Sequence, residues 1–231
     1  MKIIGELHKG VFLKRLNRFV AEVEVNNNEK HLAHVADPGR MKELLIPKTE
    51  VLLRKITLNE KRKTNWDMLG VYTPTGLVSV DSRLPNDLIA EALKNSKLKE
   101  FSEYKIVRRE FTYGSSRFDF LLQSKERQCL LEVKSCTLVK SAHAFFPDAP
   151  TLRGRKHVRE LIKAKKEGYR ACVIFVIQRA DASFFSPNDE IDPDFADTLR
   201  LAVSEGVEIF AYRCEVTETS VTLKEQINII L

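Results

Sequence analysis

The fold of this chain is decided by two short stretches, RFDFLL at residues 117–122 and CLLEVKS at residues 129–135. Apolar and β-branched residues dominate both, and the polar segment between them has the composition of a turn, so the pattern predicts two neighbouring strands. Residues two apart on a strand share a face, which sets Glu132 beside Lys134. If the strands pair as a hairpin, Asp119 lies across from Glu132.

Two carboxylates and an amine on one sheet face are costly to bury without partners. Asp119, Glu132 and the backbone carbonyl of Val133 offer hard oxygen ligands, which suit Mg²⁺ or Mn²⁺. Lys134 then stands where it can orient or help to deprotonate an attacking water. The pattern resembles the PD-(D/E)xK nuclease core, with Phe118 in place of the proline. A solvated E-x-K strand face without a catalytic role stays open as the alternative.

Length and composition place the chain among globular proteins of one large or two small domains. It has 231 residues, 43% hydrophobic and 30% charged, which is ordinary for a soluble protein. The sequence has no run of eighteen uncharged apolar residues, and an acid at Glu6 argues against a signal peptide, so we expect a cytoplasmic location. Formal net charge is +6, which is compatible with a polyanionic partner without establishing one.

The cysteines lie in apolar segments without a C-x-x-C pair, which predicts buried free thiols at Cys129, Cys136, Cys172 and Cys214.

Residues 1–80 read as short strands with turns between them and one small helix at residues 40–45, after the third strand. This order matches an OB-fold-like β-barrel, a module often used for oligonucleotides. Trp66 is interpreted as a core residue in preference to a base-stacking one. The segment DPGRM at residues 37–41 is either an anion-binding corner, with amides free to receive a phosphate, or a plain connection. Basic residues that would follow a phosphate backbone are Arg15, Arg18, Arg40, Lys42, Lys61, Arg62 and Lys63.

Residues 81–231 read as a mixed sheet with flanking helices. An amphipathic helix at residues 85–98 carries Glu91, which is a candidate to assist at the metal site, with a surface glutamate as the equal alternative. The uninterrupted apolar run at residues 171–177 predicts a central strand covered on both faces. A helix beginning near residue 153 opens with basic residues that would neutralise phosphates near the metal. The candidate DNA-binding residues are Arg40, Lys42, Arg153, Arg155, Lys156 and His157.

Four motifs together resemble the sugar fermentation stimulation protein A family. They are DPGRM at 37–41, RFDF at 117–120, LEVKSCTL at 131–138, and FPDAPT at 146–151 with RGRKH at 153–157. Relatives carry P-N-T-G-x-M where this chain has DPGRM, so the tight turn carries over more safely than any single side chain. The resemblance covers essentially the whole chain and implies an OB-like domain, a nuclease-like domain and DNA binding. The family name reflects an effect on sugar metabolism, proposed to act through maltose genes.

The predicted fold class is therefore α/β (α+β), with an OB-fold-like barrel followed by a restriction-endonuclease-like (PD-(D/E)xK) domain. The leading hypothesis is a DNA-binding protein with a Mg²⁺- or Mn²⁺-dependent phosphodiesterase site. One alternative is a non-catalytic DNA-binding regulator of maltose metabolism on a nuclease-like scaffold, and another is a small-molecule or protein-binding module. The absence of an evident helix-turn-helix predicts DNA binding without strong sequence preference. No membrane partner is expected, and a homo-oligomer is left open.

Overall fold

Two groups of strands organise the molecule, an N-terminal barrel and a C-terminal mixed sheet. The computed structural model describes residues 1–26, 29–57 and 64–231. Lys61, Arg62 and Lys63, predicted to contact phosphates, lie outside the described residues. So do Asn27 and Asn28 of the turn predicted after the second strand.

Five strands close the barrel and a sixth extends it. Antiparallel pairs place the first strand between the second and the fourth, and the parallel pairing of the third strand with the fifth closes the ring. Alternation along the strands fills the interior, as in the second strand, where Ala21, Val23 and Val25 are buried and the residues between them face outward. Trp66 is 3% exposed, which agrees with its interpretation as core. The strands are β1 (Leu7–Asn17), β2 (Val20–Val25), β3 (Glu29–Val35), β4 (Glu50–Lys55), β5 (Trp66–Thr73) and β6 (Gly76–Ser79).

The C-terminal part is built on a six-stranded sheet. Its strands are β7 (Lys105–Tyr113), β8 (Ser116–Gln123), β9 (Gln128–Cys136), β12 (Arg170–Ile177), β14 (Glu208–Val216) and β15 (Val221–Gln226). They lie in the order β15-β14-β12-β9-β8-β7. The three central strands β9, β12 and β14 are parallel, and antiparallel strands flank them. All eight residues of β12 are buried, as the apolar run predicted.

Three helices cover the two faces of this sheet: α1 (Leu84–Lys94), α2 (Leu152–Lys166) and α3 (Pro193–Ser204). Helix α1 packs one face, and α2 and α3 pack the other. Helix α2 begins after Thr151, whose hydroxyl accepts a hydrogen bond from the N–H of Gly154 at 3.0 Å. Within the described part of the chain, no helix is long and apolar enough to span a membrane.

Two features of the fold were not predicted. A second sheet of four short strands lies beside the central one: β10 (Val139–Lys140), β11 (His143–Phe146), β13 (Phe184–Pro187) and β16 (Asn228–Ile229). The first residues, assigned by the sequence to the N-terminal domain, pair instead with the β14–β15 hairpin: the amino group of Met1 donates to the Val221 carbonyl at 2.7 Å, and Lys2 bridges to Ser220. The four cysteines are free and buried, as predicted.

Candidate metal centre

A groove of about 1480 Å³ runs between the barrel and the mixed sheet. Asp119, Glu132 and Lys134 line it from the sheet side, and the 37–42 turn lines it from the barrel side. The three residues that the strand pattern predicted to meet are therefore together in one open cleft. Both structural parts of the chain contribute to its walls.

The end of one strand ladder positions Asp119. Pairing between β8 and β9 reaches Phe120 opposite Leu131 and stops there. Beyond that point, the Asp119 carboxylate accepts a hydrogen bond from the N–H of Val133 at 2.7 Å through Oδ2. Its other oxygen accepts from the side-chain amide of Asn86 on α1, also at 2.7 Å. Asp119 is thus fixed between a strand edge and the first turn of a helix.

Glu132 is the most deeply buried charged residue of the groove, at 3% exposure. Its Oε1 lies 2.5 Å from the ammonium nitrogen of Lys134 and 2.5 Å from Nδ1 of His157 on α2. Glu132 and Lys134 are two apart on β9, so the alternation of the strand puts them on the same face. Its second oxygen, Oε2, is buried and makes no hydrogen bond with any described residue.

The two carboxylates differ in pKa because their neighbours differ. Burial raises the pKa of Asp119 to about 6, and the negative charge of Glu132 adds to the shift. Burial also opposes ionisation of Glu132, but Lys134 and the hydrogen bond from His157 outweigh it and hold the pKa of Glu132 below its ordinary value. Glu132 therefore stays ionised at neutral pH, and Asp119 gives up its proton just below it.

The donor set fits a hard divalent cation that keeps part of its water shell. Among the described residues, no group of three or more His, Cys, Asp and Glu side chains is arranged to hold a metal. Asp119 and Glu132 provide two carboxylates, which is what Mg²⁺ usually takes from a protein while water and phosphate fill its other positions. The buried Oε2 of Glu132 supplies an oxygen with free lone pairs. The Val133 carbonyl as a ligand stays a prediction, since only its N–H is seen in contact with Asp119.

Glu91 does not lie at the candidate metal site, which corrects the sequence interpretation. Its carboxylate lies 3.5 Å from the amino group of Met1 and borders a separate cavity behind α1, outside the groove. The helix contributes Asn86 to the site instead. The helical period explains the difference, since residues 86 and 91 are five apart and point to different sides of the helix.

The predicted DNA-binding residues divide into two sets. Arg40, Lys42 and Arg153 line the groove with exposed side chains. Arg155 instead forms ion pairs with Asp192 and Asp194, and Lys156 donates to the carbonyl of Ser115 at 2.7 Å. His157 is 4% exposed and contacts Glu132, so burial removes it from the predicted surface role. Neither Arg155 nor Lys156 lines the groove.

The DPGRM segment forms a turn and no helix follows it. The N–H of Gly39 donates to Asp37 at 2.7 Å, and the N–H of Met41 donates to Asp148, from the C-terminal part, at 3.2 Å. Two carboxylates of the chain itself therefore occupy the amides that the sequence offered to a phosphate. The guanidinium of Arg15, on β1, donates to the carbonyls of Gly39 and Asp37 and so stabilises the turn. The segment joins the two domains rather than forming an open anion site.

Comparisons with known proteins agree with this architecture. A family model described as the SfsA N-terminal OB domain matches residues 13–80, and one described as the sugar fermentation stimulation protein RE domain matches residues 83–220. A curated homologue from Thermoanaerobacter sp. (strain X514) is 47% identical over 231 residues, covering 100% of both chains. The chain belongs to the sugar fermentation stimulation protein family. A family member from Clostridium perfringens (strain 13 / Type A) is 46% identical over 232 residues, again covering 100% of both.

A solved structure of the same family shares the whole fold. It is described as Pyrococcus furiosus SfsA in complex with Ca²⁺, with a TM-score of 0.90 and 28% identity, covering 100% of each chain. The family and the fold class inferred from the sequence, an OB-like barrel followed by a restriction-endonuclease-like domain, are confirmed.

Proposed function

We propose that this protein binds DNA in the interdomain groove and hydrolyses phosphodiester bonds at a divalent-cation site formed by Asp119 and Glu132. The observation that carries the proposal is the buried Oε2 of Glu132, which is part of an ionised carboxylate and has no hydrogen-bond partner among the described residues. Leaving such an atom unpaired in a protein interior is expensive. A cation in the groove would supply the missing partner.

The residues around this position divide the work. Asn86 and the Val133 N–H orient Asp119, so that its lone pairs toward the groove are fixed before a ligand arrives. Lys134, at 14% side-chain exposure, is close enough to the groove to orient a water or a phosphate oxygen. A bound Mg²⁺ or Mn²⁺ would neutralise charge on the phosphate and lower the pKa of water. The Ca²⁺ complex of the Pyrococcus furiosus relative supports a divalent ion at this fold.

The walls of the groove support a nucleic-acid substrate. Exposed cationic side chains come from both domains, and in the described part of the chain none of the following forms an ion pair: Arg18, Arg40, Lys42 and Arg153. Cations placed along a cleft neutralise successive phosphates without reading sequence. We propose a cytoplasmic location as well, which the four free buried thiols support.

The decisive experiment is a cleavage screen on single-stranded, duplex, nicked and branched DNA with Mg²⁺ or Mn²⁺. We expect cleavage by the wild-type protein and a loss of about a thousandfold or more in Glu132→Gln, since its cation ligand is gone. Glu126→Gln, the same change on the exposed β8–β9 turn, should cleave normally. Cleavage by Glu132→Gln at the wild-type rate would place the activity elsewhere.

A second candidate function is DNA binding without cleavage. The ion pair between Lys134 and Glu132 favours it, because the ammonium of Lys134 neutralises the glutamate without a metal ion. Retained DNA binding with no cleavage of any substrate form in either metal would select this candidate. The same screen therefore separates the two functions.

A further inference from the structure

His157 occupies a position that packing alone does not explain. It lies on the inner face of α2 with Gly154, Val158 and Leu161, among residues that are otherwise small or apolar. Its ring packs against Phe118 at 5.7 Å between centroids, and its Nδ1 points at Glu132 Oε1. A buried imidazole needs a partner for its polar nitrogen, and here the partner is the central carboxylate of the groove.

Both donors to Glu132 use the same oxygen. Lys134 and His157 each lie 2.5 Å from Oε1, and neither lies at Oε2. A carboxylate oxygen has two lone pairs, so these two donors fill Oε1 completely. The carboxylate is therefore held in one rotation, with its satisfied oxygen toward the helix and its unpaired oxygen left for a ligand.

The shared oxygen also changes what Lys134 can do. If Lys134 were the sole donor, turning its ammonium toward the groove would leave Oε1 buried and unpaired, at the cost of a broken charged hydrogen bond. With His157 in place, Oε1 keeps one donor. Lys134 is then able to leave Glu132 and meet a water or a phosphate oxygen.

We infer that His157 is a positioning residue that clamps Glu132 Oε1, presents Oε2 to a divalent cation and frees Lys134 for the substrate. This inference rests on the proposed metal site and adds a role that neither the E-x-K pattern nor the fold specifies. Outer partners of metal-binding carboxylates typically contribute tenfold to hundredfold in metal affinity or activity.

The test compares two substitutions on the full-length protein, with Mn²⁺ as the probe in isothermal titration calorimetry. His157→Leu keeps an apolar volume and removes the donor, whereas His157→Asn keeps an N–H donor near the place of Nδ1. We expect His157→Leu to weaken Mn²⁺ binding by about tenfold or more and His157→Asn to stay within about threefold of wild type. The control His143→Leu, which changes a histidine outside the groove that contacts Ser186, should bind Mn²⁺ normally.

Kinetics provide a second readout wherever cleavage is measurable. We expect His157→Leu to lower kcat with KM for DNA unchanged, because the groove walls are intact while Lys134 stays on Glu132. His157→Asn should restore most of the loss. A purely structural histidine would instead lower the melting temperature in both variants and leave Mn²⁺ affinity and kcat of the folded protein unchanged, which would overturn the inference.

The outcomes also distinguish failure of this inference from failure of the proposed function. Absence of Mn²⁺ binding in the wild-type protein would remove the proposed metal site and the role of His157 with it. Normal Mn²⁺ binding by wild type and by folded His157→Leu would remove the role of His157 alone and leave the metal site standing.

Discussion

Asp119 and Glu132 show how one groove gives two carboxylates different proton affinities. Glu132 is buried and Asp119 is half-buried. Glu132 has the ammonium of Lys134 and the imidazole of His157 at one oxygen, whereas Asp119 faces the negative charge of Glu132. Metal ligands of this kind must be deprotonated before they bind. Asp119, whose pKa is raised to about 6, would thus set the pH dependence of cation binding at the proposed site.

We predict that Mn²⁺ affinity is constant above about pH 7 and falls below pH 6, because a proton then competes for Asp119. The loss approaches about tenfold per pH unit for a single competing proton. Glu132 adds nothing to this slope in that range, since its pKa is lowered. Calorimetric titrations between pH 5 and pH 8 in matched buffers provide the measurement.

Asn86→Ala is the matched variant for this prediction. The Asn86 hydrogen bond favours ionised Asp119 and lowers its pKa, so its removal should move the midpoint to higher pH. A midpoint near pH 4 in the wild-type protein, the ordinary value for aspartate, would contradict the prediction.

At this scale the sequence could predict what strand alternation determines. The period of two along β9 placed Glu132 beside Lys134, and the intervening turn brought Asp119 to the same edge. A helical period would also have identified His157 as inward, since Gly154, Val158 and Leu161 lie three before, one after and four after it. Asn86 could not be found in this way, because its contact with Asp119 spans 33 positions of sequence and no local pattern encodes it.

At the scale of elements, β12 is the strand on which the C-terminal domain depends. It lies between β9 and β14 with both faces covered, and each of its side chains is buried. The apolar run made this strand predictable. The four-stranded second sheet was not, since strands of two to four residues are too short to show a period, and long-range pairing defines them.

We predict that Ile174→Ala on β12 lowers the free energy of unfolding by about 2–5 kcal/mol, the cost of a cavity in a packed core. Ile174 is 0% exposed. The same substitution at Ile4, which is 80% exposed, should change it by less than about 0.5 kcal/mol. Urea denaturation followed by circular dichroism measures both, and equal losses at the two positions would contradict the assignment of β12 as core.

The whole molecule depends on how the barrel and the mixed sheet meet, because the groove exists only between them. Gly39 lies at this meeting point: a Cβ there would come 2.7 Å from Asp148 Oδ2 and 2.8 Å from Asp37 Oδ1. Proline and glycine in DPGRM predicted a tight turn. They did not predict Asp148 as its partner, which lies 107 positions from Met41.

We predict that Gly39→Ala destabilises the protein by about 1–3 kcal/mol through overpacking of this contact. Thermal unfolding can be followed by the fluorescence of Trp66, the single tryptophan, which is buried in the barrel. In a double-mutant cycle, Gly39→Ala combined with Asp148→Ala should lose less than the sum of the single losses, since one clash is gone. Strict additivity would show that Gly39 and Asp148 do not oppose each other.

If DNA runs along the groove, cationic side chains from both domains must displace the counterions of its phosphates when it binds. The logarithm of the association constant should then fall linearly with the logarithm of salt concentration. The pair Arg40→Ala and Lys42→Ala, on the barrel wall of the groove, should reduce the magnitude of the slope by roughly two, about one per lost phosphate contact.

The matched control removes the same two charges elsewhere. Lys97 and Arg108 are exposed and lie outside the groove, so Lys97→Ala with Arg108→Ala should leave the slope unchanged. Fluorescence anisotropy with one labelled duplex at four or more salt concentrations measures both variants. Equal changes in the two pairs would mean that net charge alone attracts DNA. If only the control pair reduced the magnitude of the slope, DNA would bind at the face that carries Lys97 and Arg108, because only cations that contact phosphates contribute to the slope.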